Sequence, residues 1–380
     1  MMLKSFGLFF SLVIGIFVMS TMSCTTKSLD TCYEQSPQFR QGKFQNMGGV
    51  SEAGMSKLPK IIWRYMFDKS KAAMPEKPVP LVNFDVAQLS SNRQGQPEIY
   101  RLGHSSLLLN FSGEIWLLDP VFSKRASPFS WMGPERFHPL PFELDKLSGI
   151  KGVIISHDHY DHLDRETIET IADRVEHFVT PLGIGKYLQQ WGVTQEKIHQ
   201  LDWWQNIELG ALSLTATPAQ HFSGRGLTDR NETLWASWVI QSEQHKLFYS
   251  GDTGYFDGFK TIGEKFGPFD LTIMENGAYD KDWAEVHMTP EQTLQAHLDL
   301  RGKALMPVHN ATFDLALHAW YEPLERLSEL AQEQWVPLVT PMIGQAIPLA
   351  QLTETTAWWR PVADLETEQP LIFDVEQVAE

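Results

Sequence analysis

One run of nine residues, 156–164, constrains the fold of this chain more than any other feature. It reads SHDHYDHLD and directly follows the apolar stretch 152–155, which predicts a strand. In an extended segment His157 and His159 project to the same side, so both rings can bind one metal ion. A turn after them would carry the next Asp and His of the run toward a second ion. The run therefore predicts a metal-binding loop at the end of a buried strand.

Two metal ions need more ligands than one loop offers. The pair after the turn is Asp161 and His162, and three isolated residues that each follow a predicted strand can supply the rest: His221, Asp252 and His309. Asp252 is suited to bridge two ions because a carboxylate has two oxygens and a negative charge. The glycines beside it allow the backbone to approach the ions. A single histidine after a strand is more often structural, but together with the run these residues predict a metal centre.

The hydrophobic pattern predicts an α/β fold. Short apolar runs separated by turn residues indicate strands at 106–111, 115–118, 152–155, 212–215, 235–240, 247–249 and 271–274. Asp164 can cap a helix whose buried face carries residues up to Val175. Thr289, with Pro290 and Gln292 after it, predicts the start of a second helix, and a third is expected after Asp314. Two strand-rich halves that each close with helices predict two sheets packed face to face with helices outside.

The N-terminus predicts export. A basic start, Met1 to Lys4, precedes the apolar run 6–19, which is short for a membrane span and typical of a secretory signal. Cys24 occupies the position of a lipidated cysteine, although the usual aliphatic residue three positions earlier is missing. We interpret 1–23 as a signal peptide of lipoprotein type and expect attachment to a bacterial cell envelope through Cys24. A cleaved soluble form and an uncleaved N-terminal anchor are the alternatives.

Composition limits the remaining function classes. Lys and Arg number 31 against 47 Asp and Glu, a net charge of −16, which disfavours nucleic acid as a partner. Two cysteines provide no disulfide framework, so metal binding must use His and Asp. By composition we divide the chain into the signal, a Gly- and Pro-rich lead-in at 24–97, a catalytic domain at 98–350 and an acidic tail at 351–380.

Further segments carry a family resemblance. The ligand order, together with 102–105 (LGHS), 118–123 (LDPVFS), 132–137 (MGPERF), 234–238 (LWASW) and 250–255 (SGDTGY), resembles the N-acyl-phosphatidylethanolamine-hydrolysing phospholipase D family. These enzymes have the metallo-β-lactamase fold. The resemblance covers roughly residues 60–350. It departs at Asn310 and Ala311, where the family pattern leads us to expect Trp and Gly.

The resemblance implies an αββα four-layer sandwich with two Zn²⁺ ions per chain. It implies that His157, His159 and His221 bind one ion, that Asp161, His162 and His309 bind the other, and that Asp252 bridges them. Those ions would activate water for attack on the phosphorus of an N-acylated phospholipid at a membrane surface, releasing N-acylethanolamine and phosphatidic acid. His287 would protonate the leaving group or hold the phosphate, so Asp252 and His287 are the predicted catalytic residues.

Several alternatives stay open at the level of sequence. The chain could be another hydrolase of this fold, such as a lactonase or a small-molecule phosphodiesterase, or a non-catalytic metal-binding lipoprotein. A homodimer is one candidate assembly. Asp119 could orient a ligand histidine. Six aromatic residues in loops could form an apolar entrance or belong to the core: Phe129, Trp131, Phe137, Trp203, Trp204 and Phe222.

Overall fold

Two mixed β-sheets form the centre of this computed structural model, which describes residues 33–48, 54–91, 96–352 and 355–365. The first sheet has the strand order β15-β3-β4-β5-β6-β7-β8 and the second β14-β13-β12-β11-β10-β9. The strands are β1 Phe39–Arg40, β2 Lys43–Phe44, β3 Glu98–Gly103, β4 Ser106–Phe111, β5 Glu114–Leu118, β6 Ile150–Ile154, β7 Val175–Pro181, β8 Ile198–Leu201, β9 Asn206–Leu209, β10 Leu212–Thr217, β11 Ser237–Gln241, β12 Lys246–Tyr249, β13 Phe269–Glu275, β14 Gly302–Val308 and β15 Ala346–Pro348.

Helices connect these strands or follow the last of them. They are α1 Gly54–Phe67, α2 Arg165–Ile171, α3 Gly185–Gln190, α4 Gly258–Phe266, α5 Pro290–Asp299, α6 Glu322–Glu333 and α7 Trp359–Val362. The capping box predicted at Thr289 is confirmed, because its side chain accepts from Gln292 N and the Gln292 side chain accepts from Thr289 N. No helix among the described residues is both long and apolar enough to cross a membrane.

The direction of the strands brings the predicted ligands to one edge. β5 to β8 run parallel in the first sheet, and β12 to β14 run parallel in the second. β10 is antiparallel to β11, which is antiparallel to β12, so β10 and β12 point the same way. The segments after β10, β12 and β14 therefore start at one edge of the second sheet. A contact of 3.7 Å between His157 Nε2 and Asp252 Oδ2 places the segment after β6 beside them.

The three largest buried clusters among the described residues hold these elements together. One joins the facing sides of the two sheets and contains Trp116 and Trp238, both fully buried. A second lies between the first sheet and α2 and α3, with Ile168 in its centre. A third packs the second sheet against α4, α5 and α6 and includes Phe259. Burial of such large apolar side chains is the main force that fixes the sheets relative to each other.

One sequence prediction needs correction, and one helix was not predicted. The helix after Asp164 ends at Ile171, a single 3-10 turn follows, and Val175 is the first residue of β7. Apolar residues at helical spacing continue into the strand because both elements bury a face in the same cluster. The lead-in 24–97 contains the 14-residue helix α1. Pro59 lies inside this helix, and a proline is atypical of a helix interior, so the sequence did not indicate a helix there. The predicted signal and the position of Cys24 lie outside the described residues.

Candidate metal centre

The loop after β6 brings three histidine rings together. His157 Nε2 lies 2.9 Å from His159 Nδ1, and His221 Nε2, from the segment after β10, lies 3.2 Å from the same His159 nitrogen. Asp252 Oδ2 is 3.7 Å from His157 Nε2 and 3.9 Å from His221 Nε2. Four ligand atoms thus converge on one point, as the sequence predicted for the first ion.

A second group lies on the other side of Asp252. Asp161 Oδ2 is 3.1 Å from His309 Nε2 and 3.6 Å from His162 Nε2. Asp252 Oδ1 is 3.1 Å from His162 Nε2, while its Oδ2 is 3.0 Å from His309 Nε2. The structure therefore brings all seven predicted ligands together and places the Asp252 carboxylate between the two groups, where a bridging ligand would lie.

Asp119 orients His162. It follows β5 and is fully buried, and its Oδ2 accepts from His162 Nδ1 at 2.7 Å and from Tyr249 OH at 2.5 Å. Its Oδ1 accepts from Ser156 N at 2.7 Å, which fixes the start of the histidine run. With Nδ1–H directed at Asp119, Nε2 is the His162 nitrogen that faces the centre. The structure thus supports the orienting role considered for Asp119.

Two contacts hold His221 in the same way. Its Nδ1 lies 3.1 Å from the carbonyl oxygen of Val286, which fixes the tautomer with Nε2 free to bind. Asn46, from the lead-in, donates from Nδ2 to the carbonyl oxygen of His221 at 2.7 Å, and His221 N donates to Asn46 Oδ1 at 3.0 Å. Trp235 Nε1 donates to the same Oδ1. Sequence reasoning missed Asn46 because nothing local to 24–97 indicates that this segment reaches the site.

His104 is a second residue that the sequence left unassigned. Its Nε2 lies 2.9 Å from Asp161 Oδ2, and its ring lies 4.0 Å from the His309 ring, centroid to centroid. It belongs to the buried group with Asp161, His162 and His309 that could bind a metal ion. The only sequence signal for this position is its presence in the family segment 102–105.

His287 lies at the open side of the centre. Its ring centroid is 5.2 Å from that of His221 and 5.3 Å from that of His309. Glu275, fully buried at the end of β13, accepts from Met288 N at 2.5 Å and places Oε2 at 3.4 Å from His287 Nδ1. This position beside two of the predicted ligands is consistent with the role that the resemblance implies for His287.

Two glycines allow the loops to meet. Gly251 has φ of +56°, a left-handed conformation that glycine adopts without strain, and it turns the chain toward Asp252. A Cβ atom at Gly277 would lie 1.7 Å from the carbonyl oxygen of His309. Both glycines therefore serve close packing of the backbone segments that carry the ligands.

Burial and neighbouring charges shift the pKa values of these rings in opposite directions. Burial, assisted by the neighbouring histidines, holds the pKa of His157 and His221 well below the ordinary value. Burial also opposes protonation of His309, but Asp252 and Asp161 raise its pKa to about 10. His162 behaves likewise, because burial is outweighed by Asp252 and Asp161, which raise its pKa well above the ordinary value. The two carboxylates thus attract positive charge to this point.

The six aromatic residues that could form an entrance or belong to the core occupy different environments in the structure. Trp203 is buried between the sheets, and Trp204 and Phe137 are partly buried against core clusters. Phe222 lies beside the site, with its ring 4.6 Å from that of His159. Phe129 and Trp131 are exposed.

Comparison with known proteins decides the family. Residues 116–310, about half of the chain, match the family described as Beta-lactamase superfamily domain. This chain belongs to the beta-lactamase superfamily. The matched range, 116–310, contains all seven predicted ligands.

Relatives within the superfamily support a hydrolase. The chain is 39% identical over 347 residues to an uncharacterized protein of Mycobacterium tuberculosis, covering 90% of this chain and 92% of that one. It is 35% identical over 243 residues to N-acyl-phosphatidylethanolamine-hydrolyzing phospholipase D 1 of Caenorhabditis elegans, covering 60% and 68%. A possible metal-dependent hydrolase from Veillonella parvula has the same fold, with a TM-score of 0.53 and 15% identity over 67% of this chain and 100% of that chain.

The residues of this superfamily member fit a metal ion. Among the described residues, His162 Nε2 and Asp252 Oδ1 are buried without a hydrogen bond, although they lie only 3.1 Å apart. Buried polar atoms are rarely left unsatisfied, and these two face one another and further ligand atoms. Imidazole nitrogens with carboxylate oxygens are a donor set that divalent transition metals bind. The chain is a metal-dependent hydrolase of the beta-lactamase superfamily.

Proposed function

We propose that this chain is a zinc-dependent phosphodiesterase of phospholipase D type with the αββα four-layer form of its fold. Its substrate would be N-acyl-phosphatidylethanolamine and its products N-acylethanolamine and phosphatidic acid. The observation that carries the proposal is the relative named for this reaction, of which the chain covers 68% at 35% identity. The ligand set is compatible with it, since neutral imidazoles and carboxylates suit Zn²⁺.

We propose two zinc ions, one with His157, His159 and His221 and the other with Asp161, His162 and His309, with Asp252 shared. When bound, two such ions lower the pKa of water and stabilise negative charge on phosphoryl oxygens. The chain's own contribution is orientation. Asp119 holds His162 in one tautomer, and the carbonyl oxygen of Val286 does the same for His221.

His287 is the residue proposed to move a proton. Attack of water on phosphorus displaces an alkoxide, which needs a proton because it is a poor leaving group. Glu275 lies 3.4 Å from His287 Nδ1, so this nitrogen can carry a proton directed at the carboxylate. In the imidazolium form Nε2 also carries a proton, which it can donate to a phosphate oxygen or transfer to the departing oxygen, leaving His287 neutral with its proton on Nδ1. Its half-buried ring beside His221 and His309 places it within the same site.

Product analysis tests the reaction. Purified full-length protein with bound metal is incubated with vesicles that contain N-acyl-phosphatidylethanolamine, and the products are separated by liquid chromatography. We expect N-acylethanolamine and phosphatidic acid in equal amounts. Release of diacylglycerol would contradict the bond that we propose to be cleaved. Turnover of a lactone without turnover of the lipid would assign the chain to another hydrolase class.

Metal analysis tests the centre. We expect close to two equivalents of zinc per chain in the wild type. Asp252→Ala removes the ligand shared by the two groups, so this variant should lose metal together with activity. Glu264→Ala, at an exposed position on α4, serves as a matched carboxylate control. A single tightly bound ion that survives Asp252→Ala would contradict the two-ion centre.

A further inference from the structure

Exposed apolar side chains gather where the metal ligands lie. Within the described ranges, most of the large hydrophobic residues that face solvent belong to α1, to the loop after β5 or to the loop after His221. Scattered single residues of this kind are ordinary, but several around one site indicate an interaction surface. The residues that matter most are Trp63, Met66, Phe67, Phe129, Trp131 and Leu227.

Helix α1 is fixed at the mouth of the site by its charged face. Lys60 Nζ lies 2.6 Å from Asp282 Oδ1, and Arg64 Nη1 lies 2.5 Å from Asp280 Oδ1. Both aspartates belong to the loop between β13 and α5 that also carries His287. Because these contacts occupy one side of the helix, Trp63, Met66 and Phe67 face solvent, with the Trp63 and Phe67 rings 5.3 Å apart.

The loop after β5 reaches the same edge of the molecule. Phe137 N donates to the carbonyl oxygen of Thr312, which follows His309 in the chain, so the base of the loop is beside the site. Its tip exposes Trp131 by 72% and Phe129 by 47%, with their rings 5.6 Å apart.

Leu227 projects from the loop that follows the ligand His221, and it is 96% exposed. Arg225 holds this loop against the histidine run, because its guanidinium lies 4.1 Å from the centre of the Tyr160 ring and donates to the carbonyl oxygen of Asp158. Three separate elements, each in contact with a segment that carries a predicted site residue, thus present apolar side chains to solvent.

We propose that the exposed apolar residues of α1 and of these two loops form a lipid-facing surface, which inserts into a zwitterionic bilayer beside the metal centre. This inference rests on the proposed function, because it explains how a bilayer lipid reaches the site. Aromatic side chains with an apolar body are suited to the boundary between headgroups and acyl chains.

Charge favours a zwitterionic rather than an anionic membrane. The net charge of −16 gives no attraction to anionic lipid, and Lys60 and Arg64 are already paired with aspartates.

The length of the N-terminal segment is also compatible with a bilayer. An anchor at Cys24 would stand nine residues before Tyr33, where the described chain begins, and this segment spans at most about 30 Å.

Fluorescence quenching tests insertion independently of activity. Full-length protein is mixed with vesicles of brominated phosphatidylcholine, in which bromine quenches only tryptophans that enter the acyl region. We expect Trp63→Phe with Trp131→Phe to remove at least half of the quenchable emission. Trp335→Phe is the matched control, because Trp335 is 83% exposed but distant. Trp335 follows the C-terminal end of α6. The other end of this helix lies beside the site, because Asn276 Nδ2 donates to the carbonyl oxygen of Pro323, and the 12 residues of the helix separate its two ends by about 18 Å.

A substrate comparison then connects insertion with function. Trp63→Ser, Phe67→Ser and Trp131→Ser together should lower hydrolysis of vesicle lipid at least tenfold, while turnover of soluble bis(p-nitrophenyl) phosphate stays within twofold. Equal losses on both substrates would overturn the lipid-facing surface. Unchanged quenching in the Trp63 and Trp131 variant would overturn it as well, as would a dimer in solution that these substitutions dissociate. If the wild type cleaves neither substrate but its quenching depends on Trp63 and Trp131, the proposed function fails and the surface stands.

Discussion

Asn46 and His221 exchange two hydrogen bonds although 175 residues separate them in sequence. One amide side chain thus holds both backbone groups of a predicted metal ligand. The same Asn46 oxygen accepts from Trp235, a buried residue of the core between the sheets. The lead-in is therefore a structural part of the metal centre.

This contact predicts that Asn46→Ala weakens metal binding. Without the amide, the His221 backbone loses two partners and its ring is less well placed, so we expect metal affinity to fall about 10- to 100-fold. Competition with a chromophoric chelator measures the change. Asn46→Asp, which keeps the accepting oxygen, should lose less. Gln45→Ala, at an exposed neighbouring position, is the control; an equal loss in that variant would show that the effect is not specific to Asn46.

For His287 we predict a kinetic effect without metal loss. His287→Ala should lower the rate of lipid hydrolysis by about 10²- to 10⁴-fold, because a general acid contributes on that order. A substrate with a better leaving group should be slowed much less, since a stable alkoxide needs little protonation. Metal content should stay at the wild-type value. Full activity in His287→Ala would rule out this role.

Stability should fall in mild acid through His297. This histidine is buried at the end of α5, with Nδ1 2.6 Å from Thr272 Oγ1, and burial lowers its pKa to about 4. In the unfolded chain this side chain takes up a proton near pH 6.5, whereas in the folded chain it does so only near pH 4. The contribution of neutral His297 to the free energy of unfolding is therefore complete above pH 6.5 and is lost as the pH falls toward 4.

Between pH 7 and pH 5 this histidine should lower the free energy of unfolding by about 2 kcal/mol. Urea denaturation at both pH values measures it. His297→Gln should be less stable at pH 7 but should show a smaller decrease on acidification than the wild type. An identical decrease in the two proteins would mean that His297 does not contribute.

Attachment through Cys24 stays a prediction of the sequence alone. We expect the wild type to fractionate with membranes, since lipid on this cysteine would supply the anchor. Cys24→Ser should either release the protein or leave it unprocessed and larger on a gel. Cys32→Ser is the control, because it changes a thiol outside the proposed signal. Unchanged size and unchanged fractionation of Cys24→Ser would speak against lipidation.

Local patterns in the sequence predicted much of the fold and the site. The strand before His157, the cap at Thr289 and the seven converging residues follow from apolar spacing and from ligand chemistry, which are local or pairwise rules. α1 was missed because Gly54 and Pro59 lower helix propensity, and because the pairing of its Arg64 with Asp280 and Asp282 is not visible in the local sequence.

Asn46 and His104 could not be predicted for a related reason. The partners of Asn46 are His221 and Trp235, and those of His104 are Asp161 and His309, all distant in sequence. Asn46 lies in no pattern that the sequence connects with metal binding, and the only signal for His104 is the family segment 102–105. Tertiary contacts of this kind are visible only once the strands have been placed side by side.

Isotope labelling tests the central claim most directly. In H₂¹⁸O, attack of water on phosphorus forms the new P–O bond and breaks the P–O bond to the N-acylethanolamine, which keeps its own oxygen. Mass spectrometry of the products from N-acyl-phosphatidylethanolamine vesicles should therefore find one ¹⁸O in phosphatidic acid and none in N-acylethanolamine. Label in N-acylethanolamine, or diacylglycerol as the lipid product, would contradict the account.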